Sequence, residues 1–227
     1  MTLRLGIAIF VKTPGHSPLK TRLARVIAAD AAREFHLLSA GAVAAVACRA
    51  QRDMPALATH WAVAEPAALD HPAWTSLPVI TQGEGDLGAR MGRVTGDLLT
   101  RFDAALLLGA DAPQIEAGDI IAAAHALASH QHVIGPSADG GFWLFATRGR
   151  VPAEAWSATP WSQADTAARF CESLGEPPAD SAIARLRSLR DADTADDLPP
   201  LLSALEALRD PLPEQQRLAH WLRALPD

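Results

Sequence analysis

An acidic residue follows an apolar run near the middle of the chain, and its type and position suit metal or phosphate chemistry. The segment Ala104-Ala-Leu-Leu-Leu-Gly-Ala-Asp-Ala-Pro113 is typical of a buried strand, and Asp111 comes directly after it. In an open α/β sheet, ligands bind at the carboxyl ends of the strands. A carboxylate at such an end can hold a divalent cation against a phosphate. Taken as an isolated residue, Asp111 can also be explained as the cap of a turn at Pro113.

Three basic residues lie in or just after a loop near the start of the chain. The apolar segment Leu3 to Phe10 predicts a first strand, and the prolines and glycine of residues 11–19 predict a loop. Lys12, Lys20 and Arg22 then come close to the start of a predicted helix. Helix N-termini bind anions, and lysine and arginine both bind phosphate. This pattern favours phosphate binding over an ordinary solvated basic loop, and it matches neither a P-loop nor a Gly-x-Gly-x-x-Gly motif.

Three further segments combine acidic residues with glycines or with helix starts. In Gln82-Gly-Glu-Gly-Asp-Leu-Gly-Ala-Arg-Met-Gly92, the glycines let a backbone approach a ligand, and Asp86 can also cap the next helix. The turn Asp139-Gly-Gly141 is typical of a hairpin. Asp193 and Thr194 precede a predicted helix, where a cap is the alternative to a ligand-binding role.

The elements that position these residues predict an α/β fold. Strands alternate with helices, which indicates a mostly parallel mixed sheet covered on both faces, a three-layer α/β/α sandwich, with one antiparallel excursion at the Asp-Gly-Gly turn. We expect a single domain over residues 1–227, with C-terminal helices at about 196–227 packing on it. Residues 186–189 are predicted to form a strand, residues 66–78 a connection with little order, and Asp30 a helix N-cap.

Composition narrows the possible partners and locations. The 227 residues carry 20 Lys and Arg against 26 Asp and Glu, a net charge of −6, which argues against nucleic acid. The longest charge-free apolar stretch, Phe35 to Cys48, is too short to span a membrane, and no signal peptide is evident. We therefore expect a cytoplasmic protein without a membrane span.

Taken in order, these segments resemble a known superfamily. The matching pieces are Lys20-Thr-Arg-Leu23, Gly85-Asp-Leu-Gly88, Gly109-Ala-Asp-Ala-Pro113, Asp139-Gly-Gly141, Pro160-Trp-Ser162 and Asp193-Thr194. They are similar to segments of the nucleotide-diphospho-sugar transferase superfamily, which has the GT-A, Rossmann-like fold. Within it, the chain resembles a bacterial glycosyltransferase-like group of formerly unknown function, the DUF2064 type.

The resemblance implies a transferase that depends on Mg²⁺ or Mn²⁺. By this resemblance Asp111 and Asp193 are the metal ligands, Lys20 and Arg22 face the phosphates, and the Gly85 to Arg90 loop lies near the nucleotide. We further expect Asp111, Lys20 and Asp139 to be catalytic, with Asp139 as the candidate base. The expected substrate-binding residues are Lys12, Lys20, Arg22, Gly85, Asp86, Gly88, Arg90, Gly140 and Gly141.

Three functions are compatible with these motifs. The first is glycosyl transfer from a nucleotide sugar to a small acceptor. Many sugar transferases have Asp-x-Asp, however, whereas this chain has Ala-Asp-Ala around Asp111. The second is nucleotidyl transfer, in which a nucleoside triphosphate is joined to a phosphorylated small molecule, because the basic segment also resembles phospholactate guanylyltransferases. The third is a nucleotide-binding module without catalysis.

Overall fold

A seven-stranded sheet forms the centre of the protein as described by the computed structural model, which covers residues 3–174 and 183–225. The strands are β1 (Leu5–Val11), β2 (Leu57–Val63), β3 (Val79–Thr81), β4 (Ala104–Gly109), β5 (His132–Pro136), β6 (Phe142–Thr147) and β7 (Ile183–Arg185). Their order across the sheet is β3-β2-β1-β4-β6-β5-β7. Within the described residues, β6 is the strand that runs against the others. The predicted mixed sheet and its antiparallel excursion are therefore confirmed.

The apolar run at residues 104–109 is a central strand, as its composition predicts. β4 pairs in parallel with β1 on one side and antiparallel with β6 on the other. The register places Gly109 opposite Phe10, so that β1 and β4 end side by side. The residues that follow these two strands, among them Lys12 and Asp111, therefore start from the same edge of the sheet.

Helices cover both faces of the sheet, which completes the predicted three layers. They are α1 (Ala24–Ile27), α2 (Ala29–Asp53), α3 (Leu87–Leu99), α4 (Ala117–Ala126), α5 (Ala153–Ala158), α6 (Thr166–Ser173), α7 (Leu198–Glu206) and α8 (Pro213–Arg223). Side chains alternate along a strand, so Leu5, Ile7 and Ile9 of β1 join a core with residues of α2 and α4. On the other face, Ala8 lies in a core with residues of α3, α5 and α6.

The last two helices pack on α2. Phe35 of α2, Leu201 of α7 and Leu218 of α8 belong to one buried cluster. Gln215 of α8 also donates hydrogen bonds to the carbonyls of Pro113 and Ile115, at 2.8 and 2.9 Å. The C-terminal helices therefore support the segment that follows Asp111. Residues 226 and 227 of the predicted C-terminal segment lie outside the described residues.

Three sequence-based expectations about local structure are wrong. The strand predicted at residues 186–189 lies instead at Ile183–Arg185, and Leu189 makes only an isolated bridge to Ser137 beyond the irregularity at Gly135 and Pro136 of β5. Pro136 has no N–H to donate, so the regular hydrogen bonding between β5 and the segment that follows β7 does not continue past it.

The connection at 66–78 is ordered, with 3₁₀ turns at Pro66–Ala68 and Pro72–Trp74, because it carries the buried Trp74. Asp30 is not an N-cap. α2 begins at Ala29, so that Asp30 lies in its first turn and pairs with Arg33.

In the described part of the chain, no helix is long and apolar enough to cross a membrane.

Candidate active site

A cleft of about 760 Å³ opens at the edge of the sheet where β1 and β4 end. The first residues of β6 reach the same edge because that strand runs in the opposite direction. Most of the sequence-predicted site residues line the cleft, namely Lys12, Lys20, Arg22, Gly85, Asp86, Arg90, Asp111, Asp139, Gly141 and Asp193. Gly88 and Gly140, which were predicted to bind substrate, do not line it. The fold thus brings five separate sequence segments to one place.

The ammonium of Lys20 joins two of the predicted metal ligands. Its Nζ lies 2.9 Å from Oδ2 of Asp111 and 2.8 Å from Oδ1 of Asp193. It also donates to the carbonyl oxygen of Ala192 at 2.7 Å. An ammonium group has three donors, and here each has an acceptor. The side chain of Lys20 is 5% exposed, whereas those of the two aspartates are 39% and 47% exposed.

Local structure leaves the Asp193 carboxylate available for this contact. The neighbouring Thr194 forms a capping box with Asp197, whose Oδ2 accepts hydrogen bonds from the backbone N–H groups of Asp193 and Thr194 at 3.2 and 2.9 Å. The cap predicted for this segment therefore exists, but Thr194 and Asp197 form it. The backbone N–H of Ala192 donates to the carbonyl of Asp111 at 3.2 Å, which holds the two acidic segments together.

Negative charge accumulates around Lys20. Burial lowers the pKa of Lys20, but the charges of Asp111 and Asp193 outweigh this effect, so that its pKa lies above the ordinary value. Burial and the carboxylates of Asp139, Asp193 and Asp111 raise the pKa of Asp191 to about 6. Asp191 also lines the cleft. The sequence pattern predicts no role for Asp191, because its burial and its closeness to Asp139 and Asp111 depend on the tertiary fold.

The other two cations of the basic segment are open to solvent and line the cleft. Lys12 and Arg22 are exposed, and neither side chain has a hydrogen-bond or ion-pair partner among the described residues. The loop that carries them is fixed by residues that sequence analysis did not single out. Oε2 of Glu65 accepts from the N–H of Thr13 at 2.9 Å, and Nε1 of Trp74 donates to Oγ1 of Thr13 at 2.9 Å.

A buried histidine completes this support of the basic loop. Nε2 of His36 on α2 lies 2.9 Å from the carbonyl oxygen of Lys12. Burial lowers the pKa of His36, and the neutral ring can donate this hydrogen bond. The backbone of Lys12 is therefore held by the core while its side chain stays exposed. No sequence signal distinguishes His36 from the other histidines.

The glycine-rich segment has both local and tertiary functions. Asp86 is the predicted N-cap of α3, where its Oδ1 accepts from the N–H of Ala89 at 2.8 Å. The Nε of Arg90 donates to the carbonyl of Gly85 at 2.9 Å, and Gly85 has a φ of +107° that favours glycine. A Cβ at Gly88 would lie 2.3 Å from both the carbonyl oxygen of Trp156 and Nε1 of Trp161. Close packing against these tryptophans therefore explains why position 88 needs a glycine.

The hairpin turn between β5 and β6 forms one lip of the cleft. Asp139 is exposed there, and its Oδ1 accepts from the N–H of Gly141 at 2.9 Å. Gly140 has a φ of +91°, and a Cβ on it would lie 1.7 Å from the carbonyl oxygen of Ala164. Its own carbonyl accepts from the N–H of Ala167 at 2.9 Å. The turn is thereby attached to the segment before α6, which includes the cleft residues Trp161 and Ser162.

The acids of the cleft suit a divalent cation in their chemistry. Oδ1 of Asp111 is buried and has no hydrogen-bond partner among the described residues. Burial, together with the charges of Asp139, Asp193 and Asp111, raises the pKa of the neighbouring Asp191. Hard divalent cations prefer carboxylate oxygens. In the arrangement seen over residues 3–174 and 183–225, however, no three His, Cys, Asp or Glu side chains stand close enough to form a metal centre. Lys20 occupies the space between Asp111 and Asp193.

Known protein sequences and solved structures resemble this chain. A family model described as an uncharacterized protein conserved in bacteria (DUF2064) matches residues 17–163. A search among curated proteins found no significant match. Among solved structures, a provisionally assigned nucleotide-diphospho-sugar transferase from Desulfovibrio desulfuricans G20 is similar with a TM-score of 0.81 and 21% identity, covering 97% of each chain.

Two further structures have lower similarity. The 4-diphosphocytidyl-2C-methyl-D-erythritol synthase of Anaerococcus prevotii has a TM-score of 0.57 and 10% identity, over 90% of this chain and 97% of that one. CMP:2-keto-3-deoxy-manno-octonic acid synthetase, solved with CTP, has a TM-score of 0.52 and 14% identity, over 89% and 99%. At these identities the likeness concerns the fold, which the chain shares with transferases that use nucleotides.

Proposed function

This chain belongs to DUF2064, the family of uncharacterized proteins conserved in bacteria, and we propose that it is a transferase acting on an activated nucleotide in the cleft at the end of β4. One observation carries the proposal. The exposed cations Lys12 and Arg22 line the same cleft as the paired carboxylates of Asp111 and Asp193. Phosphate groups and a divalent cation that neutralises them require these two kinds of side chain together.

Lys12 and Arg22 are suited to contact the phosphates directly. Arginine offers a planar set of donors to phosphate oxygens, and lysine offers a compact charge. Lys20 has a different relation to the substrate, because its three donors are already used by Asp111, Asp193 and Ala192. We therefore assign Lys20 to positioning the two carboxylates. It can donate to a phosphate only after it has left one of its present acceptors.

Asp111 and Asp193 would hold Mg²⁺ or Mn²⁺ in this proposal. When bound, such a cation supplies positive charge to the leaving phosphate group. The chain's own contribution is to bring the two carboxylates from distant segments within reach of one ammonium, at 2.9 and 2.8 Å. The unpartnered Oδ1 of Asp111 is an oxygen that could ligate the cation, since it accepts no hydrogen bond among the described residues. Asp191 adds a third carboxylate to this side of the cleft.

Glycosyl transfer from a nucleotide sugar to a small acceptor is the reaction that we place first. Phe142 and Trp161 also line the cleft, and an aromatic face is a suitable surface for the C–H face of a sugar ring. Asp139 lies on the adjoining lip. In this reaction the acceptor oxygen bonds to the sugar carbon, the bond from that carbon to the phosphate oxygen breaks, and Asp139 takes the acceptor's proton.

Nucleotidyl transfer is the second candidate, and the arrangement of the acids favours it. The residue two positions before Asp111 is Gly109, so a second carboxylate must come from elsewhere. Asp193 provides it from the segment before α7. In this reaction a phosphorylated acceptor attacks the α-phosphorus of a nucleoside triphosphate, and pyrophosphate leaves. The solved synthetase with CTP shows that a protein of this fold binds a triphosphate.

Product analysis distinguishes these functions. The protein is incubated with Mn²⁺ and a panel of nucleotide sugars or nucleoside triphosphates, each with small sugar and phosphorylated acceptors. Release of a nucleoside diphosphate with a glycosylated acceptor supports glycosyl transfer, and release of pyrophosphate with a nucleotide-linked acceptor supports nucleotidyl transfer. Binding of a nucleotide without turnover of any donor would contradict both and leave a binding module.

A further inference from the structure

A second cavity lies on the side of α3 that faces away from the cleft. Leu87, Arg90 and Met91 of α3 line the cleft, whereas Gly92, Arg93, Thr95, Gly96 and Leu99 line a groove of about 430 Å³. These two sets lie on different faces of a helix with 3.6 residues per turn. The other wall of this groove, which we call the α3 groove, comes from Arg150, Val151 and Trp156 with their neighbours. Asp86 at the start of α3 borders both cavities.

Two of the residues that line the α3 groove, Arg93 and Arg150, form no ion pair with a carboxylate within the described residues. Arg93 uses its Nη1 to donate to the carbonyls of Gln82 and Glu84, at 2.8 and 2.9 Å, which fixes its position without removing its charge. A Cβ at Gly83 would lie 2.2 Å from this Nη1, so Gly83 makes room for the group. Arg150 has neither an ion pair nor a hydrogen bond in the part of the chain that the structure describes. Asp86 is the acid that borders the groove, and its Oδ1 caps α3.

A buried hydroxyl group of a residue that lines the groove has no partner within residues 3–174 and 183–225. Thr95 is 2% exposed and lines the groove, yet its Oγ1 has no hydrogen-bond partner among the described residues. A buried hydroxyl without a partner destabilises the native state. A ligand oxygen that enters the groove and reaches this atom would supply that partner. Next to it, Gly96 faces open space, because a Cβ built there meets no atom within 4 Å.

The remaining wall is apolar. Leu99, Val151 and Trp156 line it, and Trp156 packs closely on Gly92, where a Cβ would lie 2.8 Å from the indole Cδ1. We propose that the α3 groove is a second ligand site, which binds a small molecule with an oxyanion on an apolar body, a phosphate or a carboxylate on an aromatic or aliphatic group. Arg93 and Arg150 bind the oxyanion, Thr95 donates to it, and the apolar wall contacts the body. This site is independent of the function proposed for the cleft.

Nuclear magnetic resonance titration tests the α3 groove residue by residue. Phenyl phosphate and benzoate are the probes for the two oxyanions, and benzyl alcohol is the neutral control. We expect saturable shifts of the amides of Gly92, Thr95 and Gly96 with at least one of the two anions. Arg150→Gln should weaken this binding about tenfold, because a charge-assisted hydrogen bond to the ligand is lost. Arg217→Gln, which removes an exposed arginine of α8, is the matched control and should change nothing.

Two further variants test the role of the Thr95 hydroxyl and separate binding in the α3 groove from binding in the cleft. Thr95→Val conserves the shape of the side chain and removes its hydroxyl, so it should also weaken binding, while thermal unfolding checks that the variant is folded. Arg22→Gln removes a cation of the cleft and should leave the shifts of α3 residues unchanged. The proposal would be overturned if both anions shifted cleft residues only. It would equally be overturned if Arg150→Gln and Thr95→Val bound the probe as tightly as the native protein.

Discussion

The Lys20→Met variant should lose about 3 kcal/mol of unfolding free energy when divalent cations are absent, because removal of one partner from a buried ion pair leaves the other unneutralised. Lys20 is 5% exposed and touches both Asp111 and Asp193. The two carboxylates are 39% and 47% exposed, so that solvent screens part of their repulsion. We therefore expect a loss at the lower end of the range for such pairs. Chemical unfolding monitored by circular dichroism measures it.

The same variant should regain stability when Mn²⁺ is added. If the ammonium of Lys20 and a divalent cation neutralise the same two carboxylates, the ion stabilises the variant by binding its native state. Lys12→Met is the matched control, since Lys12 is exposed and has no side-chain partner among the described residues. Its stability should change little with or without Mn²⁺. A Lys20→Met protein as stable as the native one would show that the contact with the two acids has no structural role.

Gly140→Ala should also destabilise the protein, by about 3 kcal/mol or more, through overpacking and backbone strain together. The new Cβ would lie 1.7 Å from the carbonyl oxygen of Ala164, a backbone atom that cannot move alone. The φ of +91° adds strain for any residue with a side chain. The hydrogen bond from Ala167 to the carbonyl of Gly140 would be disturbed as well. We expect the lip that carries Asp139 to separate from the segment before α6.

Gly41→Ala is the control for this substitution. Gly41 lies inside α2, and a Cβ there meets no atom within 4 Å. Alanine in a helix interior is more favourable than glycine by roughly 0.5–1 kcal/mol, so this variant should be slightly more stable. Thermal unfolding of both variants measures the contrast. Equal stability of Gly140→Ala and the native protein would contradict the packing described for the turn.

Local sequence patterns predict the parts of the site that depend on single segments. The apolar run before Asp111 predicts a buried strand, and the rule for carboxyl ends of parallel strands then predicts the edge at which it lies. The cap at Asp86 and the turn at Gly140 follow from residue type in the same way. These features need no knowledge of what packs against them.

The remaining features depend on contacts between distant segments. Lys12, Lys20 and Arg22 are similar as a sequence pattern, yet in the fold Lys20 is buried against Asp111 and Asp193 while the other two are exposed. Gly88 is a plausible ligand-binding glycine in the sequence, but the indole of Trp161 lies where its side chain would be. Burial, together with the charges of Asp139, Asp193 and Asp111, raises the pKa of Asp191. Such effects emerge only from tertiary structure.

Nucleotide binding by the Asp111→Asn variant tests whether Asp111 holds a divalent cation against a bound nucleotide. Thermal unfolding is measured with a panel of nucleotide sugars and nucleoside triphosphates, each with and without Mn²⁺, because a ligand of the native state raises the unfolding temperature. Asp196→Asn, an exposed position near Asp193 that does not line the cleft, is the control. We predict Mn²⁺-dependent stabilisation of the native protein and the control by at least one nucleotide, and its loss in Asp111→Asn. Unchanged Mn²⁺-dependent stabilisation of Asp111→Asn would show that Asp111 does not hold the cation.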